Sequence, residues 1–405
     1  MKKTVFIIGA GMSMSLGMYD TNRLTELFNN SCENNSSVER LKDICDNFFG
    51  IKKYDINDVF NLTDSALLLR NDLVTENEKI SFYELEKIKK ELVSCFFNEF
   101  IKKTRSKDEN IFNRYVDFYY SLAKKERNEK IRSNISFEER DFFISDYSII
   151  NFNWDLYSLL PIIEANKKLN DKERVYVPQD RNPKVCMFTD FNCEYACNEN
   201  SASIWYPVTE STAYALNAAK NGTLKKIILT KCFYPHGAMN LFKCGNCSKH
   251  SYYLGELTVE SVAQKLNYSD SAVLYRCPFC GNNIYPYDFD VLVQSNFKIR
   301  NSYLEEIRLS MIKQLREAER LVFLGYSMPN DDVDYRTMFK SLNNVKEVYV
   351  VLKQNGCENK FLSYKDLDKK CEPAIKNFEA VFGTKKRYYN FAGVPDSFDC
   401  IKSIL

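Results

Sequence analysis

Histidine is the scarcest chemistry-bearing side chain in this sequence, with two in 405 residues, His236 and His250. An excess of one charge is missing too. Lysine plus arginine number 56 against 54 for aspartate plus glutamate, so no long-range field draws the chain to nucleic acid or to a membrane surface, although a local basic patch stays open. No apolar run approaches the ~18–20 residues that a membrane span requires. Met1-Lys2-Lys3 followed by Thr4–Ala10 has the outline of a signal peptide. Two glycines and several polar residues interrupt its apolar run early, and no clear small-residue cleavage site follows, so the expected location is the cytoplasm. Internal repeats and low-complexity tracts are absent. Cysteine, by contrast, is plentiful at fourteen, but the residues are scattered and only four fall in Cys-x-x-Cys pairs. That pattern suits a reducing compartment and one metal site better than a disulfide framework.

The stretch from about Asp20 to Arg140 contains no proline and little glycine. Leu85, Ile88, Leu92, Phe96 and Phe100 recur at helical spacing, and a similar pattern returns in Ile111–Leu122. The reading is a helical insertion of roughly 120 residues, in which Phe112, Tyr115, Phe118 and Tyr119 form core and the charged run Lys124–Arg132 is a solvated helix end or loop. Either side of it lie short, β-branched apolar runs of the kind buried on both faces of a parallel sheet. These are Thr4–Ile8, Tyr147–Phe152, Lys226–Tyr234, Arg320–Leu324 and Glu347–Leu352, with Val333–Leu342 as a crossover helix. Strand and helix alternating at both ends of the chain imply one interrupted parallel sheet. The expected fold class is α/β, with a Rossmann-like sheet, a large helical insertion and a small zinc-ribbon module. The expected division is 1–20 for the first strand and glycine loop, 21–140 for the insertion, 141–240 for the sheet continued, 241–285 for the ribbon and 286–405 for the C-terminal part. Residues Asn170–Asn200 read as a polar loop, with Cys186, Cys193 and Cys197 as free thiols.

Several strand ends carry candidate chemistry. The first runs into Gly9-Ala10-Gly11-Met12-Ser13, where glycines let the backbone turn tightly and approach a phosphate at a helix N-terminus. Met14 breaks the dinucleotide pattern Gly-x-Gly-x-x-Gly, and a simple tight turn is the alternative. Asn153 and Asp155 lie past the end of Tyr147–Phe152, where open α/β sheets bind ligands; capping of a following helix is the alternative. His236 follows Lys226–Tyr234 and, taken alone, suits a structural imidazole satisfied by a nearby carbonyl. Behind it come Cys244-Gly-Asn-Cys247 and Cys277-Pro-Phe-Cys280-Gly281, with 29 residues between the pairs. Four thiolates in two knuckles give closed tetrahedral zinc coordination, which holds a fold and does no chemistry. His250, just beyond the first knuckle, reads as a surface residue.

In this order the motifs resemble the sirtuins, and more closely a prokaryotic sirtuin-like branch of NAD-consuming proteins. The resemblance is carried by Gly9-Ala10-Gly11-x-Ser13, Asn153-x-Asp155, His236-Gly237, the two knuckles and Gly325-x-Ser327, with the eight-residue step from His236 to Cys244 and Cys280-Gly281 before Pro286. It implies cleavage of the nicotinamide–ribose bond of NAD. Gly9, Ala10, Gly11 and Ser13 would approach the diphosphate and its flanking ribose, and Gly325 and Ser327 would line the adenosine side. Asn153 would orient the nicotinamide ribose or a water, Asp155 would support that pocket, and His236 would be the general base. The chemistry is compatible: the reaction passes through an oxocarbenium-like centre, and a histidine with a pKa near ~6.5 accepts a proton at neutral pH.

The chain also departs from the sirtuin pattern. Tyr19 stands where a proline would fall, and the Phe-Arg pair of that loop is missing. Phe152 replaces the glutamine before the asparagine. Tyr287-Asp288-Phe289-Asp290 replaces the Phe-Gly-Glu segment of the acyl-lysine tunnel. The last departure favours water as acceptor, hence an NAD glycohydrolase over a deacylase or ADP-ribosyltransferase; a non-catalytic NAD or ADP-ribose sensor is the reading from another class. Within the resemblance, such hydrolases deplete NAD in bacterial antiviral defence. Control would come from self-assembly into a homo-oligomer or from a partner such as a hexameric ATPase, with the helical insertion as the contact.

Overall fold

A computed structural model describes residues 2–31, 35–51, 53–132, 142–172, 184–191, 196–197, 225–253, 266–268, 271–293, 295, 297, 301–330, 332–354 and 357–405. The chain opens with β1 (Thr4–Ile8), buried on both faces as its five apolar and β-branched residues require, and a five-residue helix α1 (Ala10–Met14). The helical segment follows as α2 (Thr21–Ser31), α3 (Ser36–Phe49), α4 (Ile56–Leu69), a small hairpin β2 (Leu73–Val74) and β3 (Lys79–Ile80), α5 (Phe82–Arg105) and α6 (Glu109–Arg132). Capping boxes start two of these helices, Asp55 with Asp58 on α4 and Ser81 with Glu84 on α5. The stripe Leu85, Ile88, Leu92, Phe96 and Phe100 is buried as its spacing predicts. Burial of each such side chain contributes about 1.5–3 kcal/mol. On α6, Phe112, Tyr115, Phe118 and Tyr119 are core, with Phe118 stacked on Phe398 at a centroid separation of 4.2 Å.

The sheet is completed by β4 (Phe142–Ile144), β5 (Tyr147–Asn151), β6 (Lys184–Asp190) and β8 (Lys225–Phe233), with α7 (Leu160–Lys172) between β5 and β6 and the short β7 (Ala196–Cys197) elsewhere. Then come β9 (Gly237–Lys243), β10 (His250–Tyr253), β11 (Tyr275–Arg276), β12 (Asn283–Ile284), β13 (Phe289–Val291), α8 (Ser302–Glu317), β14 (Arg320–Leu324), α9 (Val333–Lys340), β15 (Glu347–Val351), β16 (Leu362–Ser363), α10 (Glu372–Phe382), β17 (Lys386–Asn390) and α11 (Phe398–Ile404). The order across the main sheet is β16-β17-β15-β14-β1-β5-β8-β4, with β6 also on β8. Its pairings are parallel except for the edge strand β16. A second sheet runs β13-β9-β10-β7, and β11 pairs with β12. This is the α/β class that the strand runs imply. No described helix is long and apolar enough to cross a membrane.

Three expectations are corrected. Within Asn170–Asn200, residues 184–190 form β6, paired in register with Lys225–Lys231 of β8. A short apolar core flanked by polar residues becomes a strand because a longer partner supplies its ladder; Cys193 lies outside the described residues. The run Lys124–Arg132 is the end of α6 with Lys124 and Lys125 exposed, as the helix-end reading has it, but Glu126 and Arg127 are buried. The Glu126 Oε1 accepts from the backbone N–H of Asp146 at 3.0 Å, which compensates a carboxylate out of water. His250 is buried, not on the surface: its Nε2 lies 2.6 Å from Asp290 Oδ2 and its ring stacks on Tyr303 at 4.1 Å.

Candidate active site

The carboxyl ends of the parallel strands meet on one side of the sheet, where open α/β folds bind ligands. Ile8 leads into Gly9, Asn151 into Asn153 and Asp155, Phe233 into His236, Leu324 into Gly325, and Val351 into Lys353. Two of these loops interlock at β1 and β14. The Gly9 N–H donates to Leu324 O at 3.1 Å and the Gly11 N–H to Gly325 O at 2.9 Å. A Cβ on Gly9 would stand 2.6 Å from Tyr326 Cα, and one on Gly325, whose φ is +63°, would stand 2.2 Å from the Met12 nitrogen. The glycines are needed because backbone meets backbone here.

Asn153 is fixed by the same loops. Its backbone N–H donates to Asn151 Oδ1, and its Nδ2 donates to Gly9 O at 3.0 Å and to Ser13 Oγ at 3.1 Å. With both amide protons committed, Oδ1 is the group left to accept from a water or hydroxyl. Asp155 caps a short turn, Leu156–Ser158, by accepting from the Tyr157 N–H at 2.8 Å; the capping alternative therefore holds for this residue. Trp154 links the segment to His236: its carbonyl accepts from the Met239 N–H at 2.8 Å, and its Nε1 donates to Leu292 O at 3.0 Å. Leu292 N–H in turn donates to His236 O at 2.8 Å, while Gly237 holds a φ of +72°. The imidazole is buried against Phe152 and Tyr335, with centroids at 5.1 and 5.5 Å.

One cavity of about 890 Å³ is lined by Gly9, Ala10, Gly11, Ser13, Asn153, Asp155, His236, Gly325 and Ser327 together, at the large end of the ~300–1,000 Å³ common for ligand sites. Much of the remaining wall carries no motif, and none of it is marked by the sequence as facing a ligand. The helical segment supplies Tyr19, Asp20, Phe60, Phe100 and Arg114, and the C-terminal strand ends supply Lys353 and Asp396. Helical spacing marks Phe100 as a core residue; nothing local says that one edge of such a residue faces a cavity. The five-residue α1 is too short to act as an anion-binding dipole, and the Gly9, Gly11 and Met12 N–H groups are donated to Leu324, Gly325 and Gly9 carbonyls.

The four cysteines converge past the far end of β9, whose near end follows His236. Cys244 and Cys247 lie between β9 and β10, and Cys277 and Cys280 between β11 and β12. Their sulfurs all lie within 4.8 Å of one another, with Cys244–Cys280 and Cys247–Cys277 both at 3.6 Å. A tetrahedron with Zn–S bonds of about 2.3 Å has edges of about 3.8 Å, so the set fits zinc. The knuckles match: Ser248 N–H donates to Cys244 O and Gly281 N–H to Cys277 O, with Ser248 at φ +58° and Gly281 at φ +74°. The Cys280 thiol is drawn down to about 6, first by the backbone of Asn282 and then by the Asn246 side chain, whereas burial pushes Cys277 up to about 12. A bound cation would favour the thiolate at every position. Because β9 begins next to His236, stripping the metal with a chelator, or the exchange Cys277→Ser, is expected to loosen the ribbon. Atomic emission should fall from about one zinc per chain to background, with a lower melting temperature; full metal content in C277S would refute the four-thiolate site.

No protein-family model and no curated protein sequence matches the chain. Solved structures do overlap with it. They are sirtuins. A SIR2 homologue–NAD complex aligns over 100% of this chain and 88% of its own, at 9% identity and a TM-score of 0.39. A structure addressing the mechanism and regulation of Sir2 enzymes covers 100% and 93%, at 10% identity and a TM-score of 0.37. A Sir2 protein bound to a propionylated peptide covers 87% and 82%, at 14% identity and a TM-score of 0.29. The fold class rests on the strand order and the cysteine cluster of the chain itself.

Proposed function

We propose that the chain is an NAD glycohydrolase, releasing nicotinamide and ADP-ribose. The observation that supports it most is that Asn153 and His236 line one cavity with the glycine loop, an arrangement that suits work on a ribose. In the reaction the C1′–N bond of the nicotinamide riboside breaks and its electron pair leaves with the pyridine nitrogen. Water attacks C1′, and its proton passes to His236 and then to solvent. Asn153, its Nδ2 held by Gly9 and Ser13, presents Oδ1 to that water or to a ribose hydroxyl. Asp155 keeps the loop in shape through its cap. The aromatic ring of Phe152 excludes water from one side of the imidazole. The setting proposed with this activity is NAD depletion in antiviral defence, under control of a homo-oligomer or an ATPase partner.

The segment that stands in place of a peptide tunnel also favours water as acceptor. Phe289–Val291 is strand β13, paired with β9, and Asp290 is engaged by His250 and Asn301. The test is purified protein with NAD, following both products. Nicotinamide and ADP-ribose are expected in equal amounts, and Asn153→Ala is expected to slow release by about 10²-fold through lost orientation. Release that requires an acylated peptide, or that labels a protein, would replace hydrolysis by transfer. Tight binding of NAD without product would make the chain a sensor, and full activity in N153A would remove Asn153 from the mechanism.

A further inference from the structure

A dinucleotide carries two negative charges on its diphosphate, and much of the glycine loop's donor capacity is already used. Its Gly9, Gly11 and Met12 N–H groups are bonded to carbonyls within the fold. The carboxylates Asp20, Asp155, Asp332 and Asp396 line the cavity, and among the described residues Arg114 and Lys353 are the cations that do. Asp20 accepts from the Arg23 N–H, Asp155 from the Tyr157 N–H and Asp332 from the Tyr326 hydroxyl. Asp396 is different. Its Oδ1 lies 3.1 Å from Arg114 Nη1 and its Oδ2 3.6 Å from Lys353 Nζ, so one carboxylate holds both cations.

The two cations are built into position. Arg114 sits on α6 beside Tyr115, whose hydroxyl donates to Met12 O, so this helix is fastened to the glycine loop. Lys353 Nζ donates to Ala392 O at 2.9 Å. Its stem lies over Gly393, where a Cβ would come within 2.7 Å of Lys353 Cδ. Arg114 and Asp396 are half-exposed, Lys353 is exposed, and all three line the cavity. An ion pair of that exposure is weak, and an anion with more charge and more acceptor oxygens can displace the carboxylate.

We propose that Arg114 and Lys353 form the anion subsite of this cavity, binding the diphosphate of a dinucleotide in exchange for Asp396. The helical segment would then complete the substrate site instead of serving only as a surface for a partner. The assignment of the dinucleotide rests on the hydrolase reading, whereas the subsite itself requires only a nucleoside diphosphate.

ADP, titrated by calorimetry into the full chain, is the probe, because it needs no turnover. Arg114→Gln is expected to weaken ADP binding about tenfold or more, the loss of a charge-assisted hydrogen bond, and to raise the KM for NAD with kcat little changed. Lys353→Met should act in the same direction. Asp396→Asn should act in the opposite one, tightening ADP by about two- to fivefold as a weak competing pair is removed. Opposite signs separate a ligand site from a strut. If the Arg114–Asp396 pair only braces the fold, R114Q and D396N will loosen binding alike, and the proposal falls. It falls equally if the unmodified chain does not bind ADP, or if all three variants bind it unchanged. ADP binding that responds as expected while NAD stays intact would overturn the hydrolase reading alone. NAD cleavage whose KM ignores all three variants would overturn the subsite alone.

Discussion

Exchange of His236 for glutamine is expected to lower NAD turnover by about 10²–10⁴-fold, the range a positioned general base contributes. Glutamine keeps a planar polar side chain of similar bulk between Phe152 and Tyr335 but cannot accept a proton. The KM should change little, because Arg114 and Lys353, which would hold the diphosphate, are elsewhere in the cavity wall. The backbone on either side should hold its shape, since Leu292 N–H still donates to the carbonyl of residue 236 and Gly237 still takes the positive φ. Single-turnover nicotinamide release, with a melting curve on the same sample, checks this. His250→Gln is the control. That ring lies against Asp290 and Tyr303 and is absent from the cavity wall. Equal activity in H236Q and the unmodified chain would leave His236 a structural imidazole.

Among the described glycines, Gly325→Ala brings the added carbon nearest to a neighbouring atom and is expected to be strongly destabilising. The residue has a φ of +63°, and its Cβ would fall 2.2 Å from the Met12 nitrogen, 2.4 Å from the Gly11 carbonyl carbon and 2.7 Å from Gly11 Cα. Those are backbone atoms of a loop tied to β14 by the Gly9 and Gly11 N–H bonds, so no side chain can swing aside. The left-handed conformation alone costs an alanine about 1 kcal/mol or more. Relief of the overlap requires β1 and β14 to separate where they leave the sheet, and the sum is expected to reach about 3 kcal/mol or more. A lower urea midpoint measures it, with loss of NAD binding if the chain still folds. Gly17→Ala is the comparison. Gly17 has a φ of +83° but nothing within 4 Å of the added carbon, so the conformational part acts there by itself. Equal stability losses in the two variants would refute the interlocked-loop account.

Much of this architecture was legible before any coordinates. The five strand runs announce themselves because a strand buried on both faces is apolar along most of its length, as Val5-Phe6-Ile7-Ile8 and Val348-Tyr349-Val350-Val351 are. Two Cys-x-x-Cys pairs announce a cluster because the knuckle is a local device whose spacing sets its geometry. Strand β6 is not legible in the sequence because its ladder belongs to β8. The charge and polarity of Glu126, Arg127 and His250 suggest solvent, but buried partners such as the Asp146 N–H for Glu126 and the Asp290 carboxylate for His250 compensate burial.

The division between what sequence and tertiary structure decide follows the range of the forces involved. The sequence by itself determined the α/β class, the helical character of residues 85–100 and the cysteine pairs, each encoded within a few residues by periodicity or turn chemistry. It also marked Asn153 and His236 as candidates. Only the tertiary structure brought them into one cavity, through Trp154 and Leu292, and only it revealed that the glycines interlock with Gly325 and so lose their free donors. Arg114, Lys353 and Asp396 lie up to 282 residues apart in the chain. Their grouping depends on how α6 and the ends of β15 and β17 pack around the sheet, which no local pattern records.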